Sequence, residues 1–319
     1  MKMINVSVVI PLFNREYSIE ACLRSVIDQS HKPAEIIVVD DCSNDNSVKT
    51  VLELGSPLIK LIQLQSNSGA QVARNEGVKN SRSEWIAFLD SDDTWHENYL
   101  ERQIEAINTS EANVVYCNGI IKSKAGNYPY QMPDVSGDTY KKLLSKPGPM
   151  FQGLLVKKIL LEQISYLDPQ VKAYQEWETA IRLGKIADFH FNRAMLFDYN
   201  LHEGETISKN KRSAVIGYRY IVEKHKDEII KECGLNTLIK HLLYIAEMYL
   251  SMDERSSAVK VLKQIVEMKK YPSSKKHFHY LIIDISPYFY HRFEDQISLD
   301  FLLRRGWFKT RQLWKKSNR

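Results

Sequence analysis

The 319-residue sequence contains no run of about 18 apolar residues, so it offers no helix able to cross a bilayer. Its opening, Met1-Lys2-Met3-Ile4-Asn5, lacks the apolar core and small-residue cleavage site of a signal peptide. Cysteine is scarce: Cys22, Cys42, Cys117 and Cys233 are scattered with no CxxC pair. That spacing gives no zinc site and fits reduced thiols in a cytoplasmic protein. Glycine is missing where phosphate loops need it, since neither G-x-G-x-x-G nor the P-loop signature occurs. A large excess of one charge is missing too. The net charge is +5, but residues 304–319 carry seven Lys or Arg and no acid, which leaves −2 for the rest. A near-neutral body with a basic tail is not the profile of a nucleic-acid binder, and no nucleic-acid partner is expected.

What is present allows a packed core: 44% of residues are hydrophobic and 26% charged. The first 120 residues alternate between two periods. Val6 to Ile10 reads as a buried strand that ends at Pro11, followed by a helix over 17–29. Further strands are expected at 35–39, 58–64, 85–89 and 113–117, with helices near 45–55, 70–80 and 96–108 between them. This order predicts an α/β fold with a mostly parallel sheet covered on both faces. Residues 119–149, rich in Gly and Pro, read as an irregular excursion with a short helix near 138–145. Beyond about 206 the pattern becomes helical, with Leu235, Leu238, Ile239, Leu242, Ile245, Ala246 and Tyr249 at spacings of three and four. The expected division is residues 1–205 as the α/β domain and 206–319 as an all-helical extension. A short joint at 251–254 predicts an antiparallel helix pair.

The stretch "WIAFLDSDDTW", residues 85–95, puts three aspartates within four positions directly after an apolar run. Carboxylates this close repel one another and resist leaving water, so they sit at an exposed turn or hold something positive. Ligands of open parallel sheets bind at the carboxyl ends of the strands. Here those ends carry Pro11-Leu12-Phe13-Asn14-Arg15, Asp40-Asp41-Cys42-Ser43, Asn67-Ser68-Gly69 with Arg74 and Asn75 beyond, and Asp90-Ser91-Asp92-Asp93. Without a glycine-rich phosphate loop, a divalent metal on carboxylates is the natural device for neutralising phosphates. Asp92 and Asp90 offer hard oxygens suited to Mg²⁺ or Mn²⁺.

Together "VSVVIPLFNRE", "EIIVVDDCSNDNS", "NSGAQVARNEG" and "WIAFLDSDD" resemble glycosyltransferase family 2, over roughly residues 4–205. The resemblance implies a Rossmann-like GT-A fold and an inverting transferase that uses a nucleotide-sugar donor, with a UDP-sugar expected. It implies that Pro11 and Phe13 line the base, that Asp41 accepts a hydrogen bond from it, and that Arg74 shapes the nucleotide pocket. Asp90-Ser91-Asp92 matches the family's DXD motif, with Asp92 the metal ligand. The family's catalytic acid motif corresponds to Tyr174-Gln175-Glu176-Trp177-Glu178 with Arg182-Leu183 after it. Glu176 stands where Asp is usual and is the expected general base, while Gln175 replaces the usual acid before it. Tyr199-Asn200-Leu201-His202 resembles the family's Tyr-Arg-x-His segment, which makes His202 an additional candidate.

Other readings compete. The aspartates also suit the N-terminus of a helix starting near Thr94, with Asp93 as cap. A calcium loop is excluded because Trp95 stands at the sixth position, where glycine is needed. A nucleotidyltransferase would need a glycine-rich basic loop after the first strand, and Leu12-Phe13-Asn14 is not one. The Gln175-Glu176 departure is the only support for a non-catalytic nucleotide-sugar-binding protein. At the C-terminus, Leu299, Leu303, Trp307, Thr310 and Trp314 share one side of a helical wheel, with the basic residues from Arg304 to Lys316 on the other. That is the pattern of an interfacial helix on an anionic membrane, or of a terminal helix packed on the body. The first setting would bring a cytoplasmic enzyme to the inner face of the membrane, where a glycan or lipid-linked acceptor would meet it.

Overall fold

The computed structural model describes residues 4–201 and 210–268. The amino-terminal half is a doubly wound sheet built from β1 (Val6–Leu12), β2 (Glu35–Asp40), β3 (Ile59–Gln63) and β4 (Trp85–Phe88). These pair in parallel in the order β3-β2-β1-β4. Every residue of β1, β2 and β4 is buried, which is why these strands read as continuous apolar runs instead of alternating ones. Between them run α1 (Ile19–Ile27), α2 (Ser47–Glu53) and α3 (Ala70–Lys79).

Strand β1 continues two residues past its expected end, through Pro11 to Leu12. Val9 accepts from Leu89 of the β4 side, while Leu12 accepts from Asp41 of the β2 side. Successive residues alternate, so the nitrogen of Pro11 faces the β4 side, beyond β4's last paired residue, Phe88. A proline there removes no ladder bond.

The second half of the sheet is mixed. Strand β8 (Leu154–Lys157) runs antiparallel to β4, and β6 (Val114–Ser123) antiparallel to β8. Then β9 (Phe189–Asn200) runs parallel to β6, and the short β5 (Thr94–Trp95) closes the edge against β9. The expected irregular excursion from residue 119 is corrected here. Strand β6 runs on to Ser123 and turns at Lys124-Ala125 into β7 (Gly126–Tyr130). Gly126, at φ 129, makes the turn, and Pro129 is tolerated because β7 pairs on one side only. Helices α4 (Tyr99–Ser110), α5 (Thr139–Ser145), α6 (Lys158–Gln163) and α7 (Gln175–Gly184) join these strands, with a 3-10 turn at Phe151–Gly153.

The rest of the described chain is helical: α8 (Lys211–Lys224), α9 (Lys226–Cys233), α10 (Leu235–Leu250) and α11 (Arg255–Met268). The chain forms two compact units, Met1–His241 and Leu242–Arg319, so α8 and α9 belong to the unit that carries the sheet. In the second unit Leu242, Ile245, Ala246, Ala258, Val261, Leu262 and Ile265 are buried, whereas Val259 is exposed. None of the described helices is long and apolar enough to cross a membrane.

Helix α3 lies so close on β1 that a Cβ at Gly77 would overlap the Val9 side chain. Val9 is central and fully buried, so it has nowhere to go. Overpacking costs about 1–3 kcal/mol, while the helix gains at most about 1 kcal/mol from replacing glycine. Gly77→Ala is therefore expected to be destabilising by up to about 2 kcal/mol net. The check is a lower urea midpoint with an unchanged slope.

Candidate active site

The strand order reverses between β1 and β4, because the chain winds first toward β3 and then returns to the other side of β1. Such a switch point opens a crevice at the carboxyl ends of the two strands. Phe13 to Arg15 leave β1 there, and Asp90 to Asp92 leave β4. Phe13 is 40% exposed, whereas Pro11 is buried within β1.

The loops after β1 and β2 are stitched together. Asn14 N donates to Ser43 Oγ at 3.0 Å, Asn44 N to Asn14 Oδ1 at 2.9 Å, and Arg15 N to Ser47 Oγ at 2.7 Å. Asn14 and Cys42 both take left-handed backbone, with φ 50 and 65. For a residue such as Cys42 this costs about 1–3 kcal/mol, and surrounding hydrogen bonds must enforce it. Asp41, expected to meet the base, accepts from Ser68 N at 2.6 Å and from Gly69 N at 2.7 Å. It thereby draws the start of α3 toward β2. Each carboxylate oxygen has a second lone pair left for a ligand donor.

Arg74 on α3 is buried and joins three segments. It donates to Asp90 Oδ1 at 2.5 Å, to Gln175 Oε1 at 3.0 Å and to Gln71 Oε1 at 3.0 Å, and its guanidinium lies 4.5 Å from the Phe151 ring centre. Arg15 Nε donates to Asp92 Oδ2 at 3.1 Å. Asp93 does not cap a helix as expected: Thr94–Trp95 is strand, and α4 starts only at Tyr99. Asp93 is instead buried, accepting from Asn200 N at 2.8 Å and from Gln152 Nε2 at 2.5 Å. Burial, with Asp92 and Asp90 adding to it, pushes its pKa well above the usual carboxylate range. Gln152 Nε2 also donates to Asp90 Oδ2 at 2.9 Å, and Asn200 Nδ2 to the Asp92 carbonyl at 3.0 Å. The crowded aspartates are thus handled separately: Asp90 by Arg74, Asp92 by Arg15, and Asp93 by burial and Gln152.

Among the described residues no group of three or more His, Cys, Asp or Glu is arranged to hold a metal. Two carboxylates at one turn still fit Mg²⁺ or Mn²⁺, because such ions commonly take one or two carboxylates and complete their shell with substrate phosphates and water.

Glu176 is the second residue of α7, and Tyr174 before the helix is left-handed at φ 58. Burial raises the Glu176 pKa, the Arg74 charge opposes the rise, and Asp90 adds to it. Tyr130, at the end of β7, is pushed up to about 12 by burial together with Glu176 and Tyr199, and its ring lies 6.0 Å from that of Tyr199. Tyr130 thus lies within electrostatic reach of Glu176 on α7 and beside Tyr199 on β9. Glu178 faces the other way and is fully buried, with Arg182 Nε at 2.8 Å and Lys224 Nζ at 2.6 Å. Burial pushes its pKa up, but hydrogen bonds from Arg182 and Lys224, with His225 Nε2 3.7 Å away, outweigh this and hold it at about 2.

Sequence reasoning brought Phe13, Asp41, Arg74, Asp90, Asp92 and Glu176 to this end of the sheet. It assigned no role to Arg15, although "FNR" closes the first motif, and it missed Gln152 and Tyr130, which lie in segments with no periodic signal. His202 lies outside the described residues.

The description Glycosyl transferase family 2 matches residues 7–159. A curated relative, UDP-Glc:alpha-D-GlcNAc-diphosphoundecaprenol beta-1,3-glucosyltransferase WfgD of Escherichia coli, is 33% identical over 183 residues, covering 57% of this chain and 72% of WfgD. The chain belongs to glycosyltransferase family 2. Among solved structures, Staphylococcus aureus TarS 1-349 in complex with UDP-GlcNAc superposes on this family member with a TM-score of 0.65 at 20% identity, covering 82% of this chain and 81% of that one. The mannosyltransferase PcManGT of Pyrobaculum calidifontis, in complex with GDP-Man and Mn²⁺, gives a TM-score of 0.58 at 17% identity, covering 83% and 76%. At these identities the likeness speaks for the GT-A fold alone.

The family member's Glu178 gives a stability test. Its folded pKa, about 2, lies below its ordinary value of 4.5. The stabilisation is therefore complete above pH 4.5 and is lost as pH falls through about 2. Glu178→Gln at neutral pH leaves the partly exposed Arg182 and Lys224 short of a charged partner and is expected to cost about 1.5–3 kcal/mol. The gap to wild type should shrink between pH 4.5 and 2 in urea titrations. A gap constant across that window would mean that Glu178 is not the ionised centre of this cluster.

Proposed function

We propose that the protein moves a sugar from a nucleotide-diphosphate sugar, a UDP-sugar, to a hydroxyl acceptor, with inversion at the anomeric carbon. The acidic turn Asp90–Asp92 and Glu176 at the start of α7 meet around Arg74, and this carries the reading. In this reading Glu176 takes the acceptor's hydroxyl proton as the oxygen attacks the anomeric carbon, and the bond to the diphosphate oxygen breaks. A raised carboxylate pKa makes the ionised Glu176 a stronger base. Pro11, Phe13, Asp41 and Arg74 hold the base and ribose and so orient the donor for attack. Asp92, with Asp90, would hold Mn²⁺ or Mg²⁺, which when bound stabilises charge on the leaving diphosphate. PcManGT's Mn²⁺ supports the metal, and the UDP-GlcNAc held by TarS supports the nucleotide. We place residues 1–205 as the catalytic domain and 206–319 as its helical extension.

The acceptor we favour is a lipid-linked or cell-envelope glycan, in keeping with the diphosphoundecaprenol in WfgD's name. Residues 298–319, with their basic and apolar sides, lie outside the described residues. Their sequence supports a role at an anionic membrane surface, and loss of liposome co-sedimentation in a chain ending at Ser298 would bear this out. The competing reading is a non-catalytic nucleotide-sugar binder. It draws only on the Gln175-Glu176 departure; Glu176 keeps a carboxylate, and Gln175 Oε1 still accepts from Arg74, so that substitution removes a charge and keeps the hydrogen bond.

Three measurements test the proposal. Asp92→Asn is expected to abolish Mn²⁺-stimulated release of UDP from the donor while the protein stays folded, because one charge leaves a crowded turn. Glu176→Gln should lower turnover about 10²–10⁴-fold with donor affinity unchanged. Wild-type kcat should rise with pH through a raised carboxylate pKa, since only the ionised form accepts a proton, and this acid limb should vanish in Glu176→Gln. Wild-type turnover in the glutamine variant would move the base elsewhere, and absence of any donor turnover in the wild type would return the protein to the binding class.

A further inference from the structure

Helix α8 lies against the segment that delivers Glu176. At Gly217 its backbone comes so near that a Cβ would sit 2.5 Å from the oxygen and 2.7 Å from the nitrogen of Ala173, one residue before the left-handed Tyr174. One residue on, the Tyr218 ring lies 5.3 Å from that of Tyr174 and 4.8 Å from that of Trp177, and its hydroxyl is 2.7 Å from His241 Nδ1. Tyr220 donates to Asp168 Oδ2 at 2.9 Å. At the end of the helix, Lys224 Nζ reaches Asp168 Oδ2 and Glu178 Oε1, each at 2.6 Å.

Asp168 and Glu178 bracket the stretch that contains Glu176. Between them the chain has only loop and the first turn of α7, and a loop keeps its shape only where something outside it holds it. The 168–178 segment is held at one end by Lys224 and Tyr220, in its middle by the close pass of Gly217, and at the helix by Tyr218 and Lys224. Lys224 is well placed energetically as well: its side chain is 31% exposed, and its partner Glu178 is fully buried. Pairs shielded from water in this way are screened far less than surface ones.

We propose that α8 is a positioning element for the catalytic base. Lys224 bridges Asp168 and Glu178, fixes segment 168–178, and so holds the Glu176 carboxylate at its place in the cleft. The inference rests on the reading of Glu176 as base. Lys224 itself touches neither donor nor acceptor in this role, the nucleotide-binding side chains on β1 and β2 do not touch segment 168–178, and Arg74, which meets it through Gln175, is held independently by Asp90 and Gln71. Its removal should act on turnover and spare nucleotide affinity.

The test uses the full chain with Mn²⁺ and whichever of UDP-glucose and UDP-N-acetylglucosamine the wild type turns over. It reads UDP release for kcat and KM, and UDP affinity by calorimetry. Lys224→Met should lower kcat at least about tenfold, since a misplacement near 1 Å is worth up to about 10²-fold, while UDP affinity holds within about twofold. Lys224→Arg, which can serve both carboxylates, should restore most of the rate. The double variant Lys224→Met/Glu176→Gln should be no slower than Glu176→Gln within about threefold, because residues acting through one group are not additive. Unchanged kcat in Lys224→Met beside an impaired Glu176→Gln would overturn the proposal and leave the base assignment standing. Losses that multiply in the double variant would also overturn it. A silent Glu176→Gln would overturn the base assignment, and this proposal with it. Should Lys224→Met not fold, Gly217→Ala carries the same readouts, because its Cβ displaces the Ala173 backbone without changing any charge.

Discussion

The end of β4 sets the constraint on which the site depends. Three carboxylates leave one buried strand within four residues, and at an effective dielectric near 20 two unit charges about 5 Å apart repel by about 3 kcal/mol. No single neighbour answers this. Asp90 takes Arg74 from α3, Asp92 takes Arg15 from the loop after β1, and Asp93 is buried with Gln152 and Asn200. Each solution draws in a different segment, so the acidic turn organises the cleft around itself. The strand order β3-β2-β1-β4 makes this possible, because it puts the loop after β1 beside the loop after β4.

Arg74 carries the organisation onward to α7 through Gln175, and α7 then separates two acids by geometry. Residues two apart on a helix are turned by about 200°. Glu176 therefore faces the cleft while Glu178 faces the core. Their environments push them in opposite directions: burial raises the first, and the cations Arg182 and Lys224 with His225 hold the second near 2. Pairs of acids driven apart in this way are how one element serves both chemistry and architecture. Glu178 is spoken for by the fold, and Glu176 is left for its proposed role as base.

Much of this was legible in the sequence where a periodic signal met a chemically odd residue. The parallel half of the sheet followed from apolar runs, and the placement of Phe13, Asp41, Arg74, Asp90 and Asp92 from their positions at run ends. What stayed hidden has physical reasons. Strand β7 was masked by Gly126 and Pro129, residues that break central strands but are at home in a turn and on an edge. Asp93 looked like a helix cap because Asp before a helical pattern usually is one, and two residues of strand, Thr94–Trp95, are too short to show periodicity. Gln152 and Tyr130 gain their meaning only from what the folded chain sets beside them. The same holds for α8, whose pattern announced a helix but not that Gly217 would pass against Ala173.

The neutral amide at residue 175 is best understood through the field at Glu176. Arg74 already has a carboxylate at 2.5 Å in Asp90 and needs from α7 only an acceptor, which Gln175 supplies at 3.0 Å. A second carboxylate in that place would add negative charge one residue from Glu176. It would offset more of the Arg74 charge that now opposes the rise in the base's pKa, and so push that pKa further up. Too high a pKa leaves the base protonated at neutral pH, and too low a pKa leaves it weak. With glutamine the hydrogen bond that fixes the start of α7 is kept, and the base stands in the field of one arginine and one aspartate. The longer reach of Glu176, one methylene beyond aspartate, and the neutrality of Gln175 belong to one local arrangement in which Arg74 holds the start of the helix and its charge tempers the rise in pKa that burial imposes on the second residue.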